Sequence, residues 1–232
     1  DPDIDGDGIA NDSDNYPGDH RFWVQPMQEA VLGISDSNLK ACVLEAIQTL
    51  GLDTTEADVS ALSNLTCNDK NVSSLTGLEA FTSLETVALS DNPIADPEPL
   101  ASLTRLRVVD ISGTAVTSIG FAGNLPQLST FSIGRTSIDS IAPLNGLTGL
   151  TSLQIENTNV TDLSPIQSHS IATLDVAGLD VCTASNLQAF TESDLTTDCV
   201  DTDSDGVVDA LDAFPLDPTE TKDSDEDNVG DN

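Results

Sequence analysis

Two stretches of this chain repeat one arrangement of carboxylates. Asp3, Asp5, Asp7, Gly8, Asn11 and Asp14 stand at the same spacings as Asp201, Asp203, Asp205, Gly206, Asp209 and Asp212. Tyr16, Pro17 and Asp19 then align with Phe214, Pro215 and Asp217. Oxygen donors alternating around a glycine turn suit a hard cation that takes roughly six to eight oxygen ligands, and a calcium loop draws them from alternate positions, one through a backbone carbonyl, before a closing carboxylate. In the first copy the ligand positions fall on Asp3, Asp5, Asp7, Ile9, Asn11 and Asp14. In the second they fall on Asp201, Asp203, Asp205, Val207, Asp209 and Asp212. A third run, Asp223, Asp225, Asp227, Val229 and Asp231, has Asn228 in place of the glycine, and its closing position lies past Asn232. The expected chemistry is chelation of Ca2+. The competing reading is an unstructured acidic linker.

Other chemistry is poorly provided for. The chain has two histidines, His20 and His169, and the adjacency of Ser168 to His169 is not the geometry of a nucleophile and its base. There is no CxxC pair for zinc or redox work and no phosphate loop. No catalytic residue and no enzymatic activity are expected.

The formal net charge is −33, and 19 of the 40 acidic residues lie in 1–20 and 201–232. A nucleic-acid binder needs a basic stripe over phosphates, and seven Lys and Arg residues do not supply one. No apolar run is long enough to span a bilayer. The absence of an initial methionine and the interrupted third loop suggest a piece of a longer, processed protein with flanking domains.

Between the acidic ends the sequence repeats every 22 residues. Leu62, Leu84, Leu106, Leu128 and Leu150 begin successive units, and Ile171 begins a sixth after a shorter one. Each unit carries two further apolar residues at alternating positions, as in Val109 and Ile111, and another at the return, in order Val72, Ile94, Val116, Ile138, Val160 and Val181. Such a period denotes a solenoid, whose units bury their apolar faces only against one another. Alternation predicts a short strand per unit, with Leu106, Val109 and Ile111 inward and Val108 and Asp110 outward. Prolines in the returns favour 3₁₀ or irregular turns over long helices. Crossovers in one direction make a parallel sheet, so the fold class expected is an α/β solenoid.

This pattern resembles the leucine-rich repeats of internalin-like bacterial surface proteins, over 36–200. "SDSNLKACVLEAIQTLG" resembles that group's helical N-terminal cap, with Leu39, Val43, Ala46, Ile47 and Leu50 at helical spacing. "VCTASNLQAFTESDLTTDC" reads as a helical C-terminal cap. One departure stands out: the asparagine expected in each unit remains only at Asn92, with Thr114, Thr136 and Thr158 in its place and Lys70 and Leu179 at the ends. The acidic segments resemble thrombospondin type 3 repeats, a likeness that also implicates Asp19 and Asp217 in neighbouring calcium sites. The organisation expected is a calcium loop at 1–20, a junction and N-cap at 21–60, about six repeats at 61–181, a C-cap at 182–200 and calcium loops at 201–232. Trp23, with Phe22 and Met27, is expected to seal the junction before the cap.

Strands about 4.8 Å apart keep the two ends of such a solenoid beyond disulfide reach. The expected pairs are therefore Cys42–Cys67 and Cys182–Cys199, which imply an oxidising compartment. The default binding surface is the outward side of the sheet, including Thr86, Val108, Asp110, Thr130, Ser132, Ser152, Gln154 and Thr173. That face is poor in aromatic and arginine anchors. Its threonine and serine rows are interrupted by Val108, Asp110 and Glu156, which argues against an ice-like ordered ligand. The function expected is that of an extracellular, calcium-binding, non-enzymatic recognition or adhesion module of a bacterial surface or secreted protein, binding a protein or cell-surface partner through this face. The alternatives are a rigid spacer, or a targeting appendage of a secreted polysaccharide-degrading enzyme.

Overall fold

A computed structural model describes residues 31, 33–51, 61–190 and 195–223. Its centre is a parallel sheet of seven strands in sequence order. The strands are β1 (Asn64–Thr66), β2 (Thr86–Ala88), β3 (Val108–Asp110), β4 (Thr130–Ser132), β5 (Ser152–Gln154), β6 (Thr173–Asp175) and β7 (Leu195–Thr196). The register places Leu65, Val87, Val109, Phe131, Leu153, Leu174 and Leu195 side by side. The first six of these central residues are fully buried. The three-residue strands leave one inward side chain each, flanked by two that face out.

The returns are 3₁₀ turns at Leu78–Ala80, Glu98–Ser102, Gly120–Asn124, Ala142–Leu144 and Ser164–Ile166. Proline stands in the first turn of three of them, where its missing N–H is not needed. Leu78, Leu100, Phe121, Leu144 and Ile166 fill the inner side of this layer. Phe121 meets Phe131 edge to face with ring centroids 6.1 Å apart, a favoured aromatic geometry.

The N-terminal cover is helix α1 (Ser37–Thr49), which buries Leu39, Cys42, Val43 and Ile47. Leu50, placed by helical spacing on the apolar stripe, is instead 54% exposed. The helix has ended there, at Gly51 with φ +68°, and Cys42 takes the inward position. Asp36 caps α1, its Oδ1 accepting from Asn38 N at 2.8 Å and Leu39 N at 3.0 Å. Its Oδ2 accepts from Ser73 N, Ser73 Oγ and Ser74 N at 2.8–3.2 Å. One carboxylate thus fastens the cap helix to the first repeat. Burial pushes the Asp36 carboxyl up, but the hydrogen bonds from Leu39, Ser73 and Asn38 outweigh it and hold the pKa at about 2. Gly77 (φ +98°) completes the junction, since a Cβ there would stand 2.5 Å from the Gly33 carbonyl oxygen.

Cys42–Cys67 and Cys182–Cys199 are disulfides with Cα separations of 5.9 and 5.5 Å. The C-terminal cover carries the helix expected and adds a strand. Among the described residues it has one helical turn, α2 (Ala184–Leu187), and β7, which extends the sheet by one more strand. Leu195 meets the alternating inward position of the preceding units, so this segment takes a seventh place in the ladder.

Candidate metal centre and ligand face

The second acidic loop closes around its own carboxylates. Asp201 accepts from Ser204 N at 2.8 Å and Gly206 N at 3.1 Å. Asp203 accepts from Asp205 N, Asp205 from Val207 N, and Asp212 from Phe214 N. Gly206 holds φ +100° and Ser204 φ +62°, bends that coil the aspartates inward. One oxygen from each of Asp201, Asp203 and Asp205 lies within 4.8 Å of the others.

In each of Asp203, Asp205 and Asp212 one oxygen is used and the other, Oδ2, is buried without a partner. Asp212 is only 9% exposed as a whole. Buried carboxylate oxygens are normally satisfied, because leaving them bare is costly. Desolvation first, and then the charges of Asp205, Asp212 and Asp201, hold the Asp203 carboxyl above its usual range. An all-oxygen donor set with uncompensated negative charge fits a hard divalent cation.

The other sequence-derived ligands are placed differently. Asp209 turns to Thr202, accepting from its N at 2.8 Å and its Oγ1 at 2.7 Å. Asp217 accepts from Thr219 N and Oγ1. Asp223 is half-buried. Asp3, Asp5, Asp7, Ile9, Asn11, Asp14, Asp225, Asp227, Val229 and Asp231 lie outside the described residues, as do Asp19, His20 and Trp23.

On the sheet, Thr86, Val108, Asp110, Thr130 and Ser152 are half-buried, and Gln154 and Thr173 are exposed. Ser132, expected to be open, is 8% exposed. Gln154 from the next strand covers it, Oε1 accepting from Ser132 Oγ at 2.7 Å. Asp110 is likewise partly spent, accepting from Ser112 N and Oγ. The open part of the face is therefore narrower than the sequence pattern suggests.

Beyond the strands runs a column that the alternation rule did not reveal. Asp69, Asp91, Gly113, Arg135, Asn157 and Gly178 all take left-handed φ, from +51° to +76°. The signal was present: Asp, Asn and Gly, which tolerate that conformation, recur at the repeat spacing. Arg135 is the exception, and its guanidinium reaches across Gly113 to Asp91. Glu156 lies over Gly134 with Oε2 buried and unpartnered. Desolvation, aided by Asp175 and Asp110 and opposed by Arg135, pushes the Glu156 carboxyl up.

The asparagine position explains how repeats are tied at the turn. Asn92 Oδ1 accepts from Lys70 N and Val72 N, and Nδ2 donates to Cys67, Leu89 and Ser90 carbonyls. It thus bridges two units. Thr114, Thr136 and Thr158 each donate only to a carbonyl of their own unit, Ile111, Ile133 and Ile155. His169 is buried, its Nε2 donating to the Leu144 carbonyl at 3.2 Å, which gives the ring a packing role.

Solved structures share this architecture. An internalin (inlF) from Listeria monocytogenes aligns with TM-score 0.62 and 25% identity, covering 76% of this chain and 54% of its own. The chain has a leucine-rich repeat fold. Internalin C2 from the same organism aligns with TM-score 0.53 and 22% identity, covering 78% of this chain and 93% of its own. The leucine-rich repeat chain thus spans about half the length of the first of these internalins. No protein-family model matches it, and no curated protein does either. No helix among its described residues is long and apolar enough to cross a membrane.

Proposed function

We propose that this chain is an extracellular, calcium-binding recognition module of a bacterial surface or secreted protein. Its leucine-rich repeat face engages a protein or cell-surface ligand, and it has no enzymatic role. The observation that carries this reading is the outward side of the sheet. Apart from Ser132 in β4, the three-residue strands bury only their central side chains, and the 3₁₀ turns fill the opposite layer, leaving a polar surface of the kind solenoids present to partners. Two disulfides support an oxidising location, and the structural likeness to internalins supports adhesion. Asp201, Asp203, Asp205 and Asp212 would hold the calcium ion, which would supply the positive charge that the bare oxygens of Asp203, Asp205 and Asp212 lack. The acidic ends are proposed to act as calcium loops of the thrombospondin type 3 kind, within a longer chain.

The test is capture of ligands from extracellular and cell-surface fractions by the immobilised, calcium-loaded chain. A single enriched protein or glycan, lost when Thr130, Gln154 and Thr173 are replaced by bulky residues, supports recognition. No specific capture by folded, loaded chain would favour a rigid spacer instead.

A further inference from the structure

The loop that gathers Asp201, Asp203 and Asp205 and ends at Asp212 also reaches into the solenoid. Val208, in the middle of this loop, is 7% exposed and belongs to the same apolar core as Val181, Leu187 and Phe190 of the C-cap. Ala210 and Leu211 pack against that core, as do Leu195 and Cys199. Asp209 N donates to the Val200 carbonyl at 2.8 Å, joining the loop to the segment that leaves the cap. Leu211 N and Asp212 N both donate to the Val208 carbonyl, so the buried valine and the closing carboxylate share one turn. Cys182, Asp198, Cys199, Val200, Asp209 and Ala210 line one cleft between loop and cap. The chain from the Cys182–Cys199 disulfide to Asp212 is therefore built as one end cover.

We infer that the C-terminal acidic loop is the outer part of the leucine-rich repeat's end cover, and that a bound divalent cation clamps it onto the last repeats. The inference rests on the calcium reading above and deepens it. The physical reason is a conflict inside one turn. Val208 is stable only when the loop lies against the solenoid, because burial removes its side chain from water. That same arrangement crowds the carboxylates of Asp201, Asp203 and Asp205, while Asp203, Asp205 and Asp212 each keep a bare oxygen, and the uncompensated charge opens the loop. A cation among them removes the repulsion, so the apolar contact persists. Its loss releases the cover, and the open end of the sheet at β6 and β7 loses its protection from water. Solenoids need such covers at their ends. The clamp confines this sensitivity to one end, since α1 covers the other through Asp36 and the Cys42–Cys67 disulfide.

The test is amide hydrogen exchange on the whole chain, metal-stripped and in millimolar calcium, with calcium binding measured in parallel by titration calorimetry. Calcium is expected to slow exchange in 201–217 and also in β6, α2 and β7, by about tenfold or more, as local opening is suppressed. Exchange in β1 to β3 should not change. Val208→Ala should still bind calcium yet lose most of the gain in β6 and β7. Calcium binding with protection confined to 201–217 would overturn the clamp while leaving the metal site intact. Absence of calcium binding would overturn both.

Discussion

Asp91 and Arg135, two full repeats apart, are joined over the bare backbone of Gly113, with Arg135 Nη1 donating to Asp91 Oδ1 at 2.8 Å. The bridge crosses the intervening unit because that unit has no side chain there: a Cβ on Gly113 would collide with Asp91 Oδ1. Gly113 also holds φ +65°, so alanine there meets both strain and collision. Gly113→Ala should cost about 1–2 kcal/mol in urea denaturation. Arg135→Gly should cost nothing or stabilise. It removes a left-handed arginine worth about 1 kcal/mol of strain, against an exposed ion pair worth about 1 kcal/mol at most. A large loss of stability in Arg135→Gly would mean that the bridge carries more than an exposed pair can.

Asn92 and the threonines that stand for it elsewhere should differ in consequence. Asn92→Thr leaves the Lys70 and Val72 amides without their acceptor, at a cost of about 2–3 kcal/mol. Thr136→Val removes one bond within a single unit and should cost about 1 kcal/mol. Denaturant midpoints at equal slope would compare them, and equal losses would deny Asn92 its bridging role.

Asp36 predicts an acid limit for the N-terminal cap. Its carboxyl titrates at about 2 in the folded chain against an ordinary 3.8. A depressed pKa contributes stability that is complete above pH 3.8 and is lost as pH falls through about 2. At this half-buried site solvent screening still reduces the contribution to about 1 kcal/mol. The melting temperatures of the parent chain and Asp36→Asn should converge as pH falls from 5 toward about 2. A gap that stayed constant over that range would assign the effect to shape rather than charge.

Much of this fold was written in the 22-residue column of Leu62, Leu84, Leu106, Leu128 and Leu150, because a repeated apolar position must repeat its burial. The disulfide pairs followed from that geometry. The seventh strand was not legible: Leu195 and Thr196 lie in a stretch whose spacing departs from the column, and only sheet pairing with β6 reveals them. The burial of Ser132 was hidden for a different reason. Alternation gives the direction of a side chain but not the reach of its neighbour Gln154. The turn of the acidic loop was legible in Gly206, yet nothing in its spacing told that Asp209 would turn to Thr202 or that Val208 would enter the core.

The central claim, that a hard cation belongs among Asp201, Asp203, Asp205 and Asp212, is tested most directly by calorimetric titration of calcium into the metal-stripped chain. A second titration with Asp212→Asn supplies the comparison. The account predicts saturable calcium binding at millimolar or lower concentration, with at least one site lost in the variant. No binding, or identical isotherms for the two chains, would contradict it.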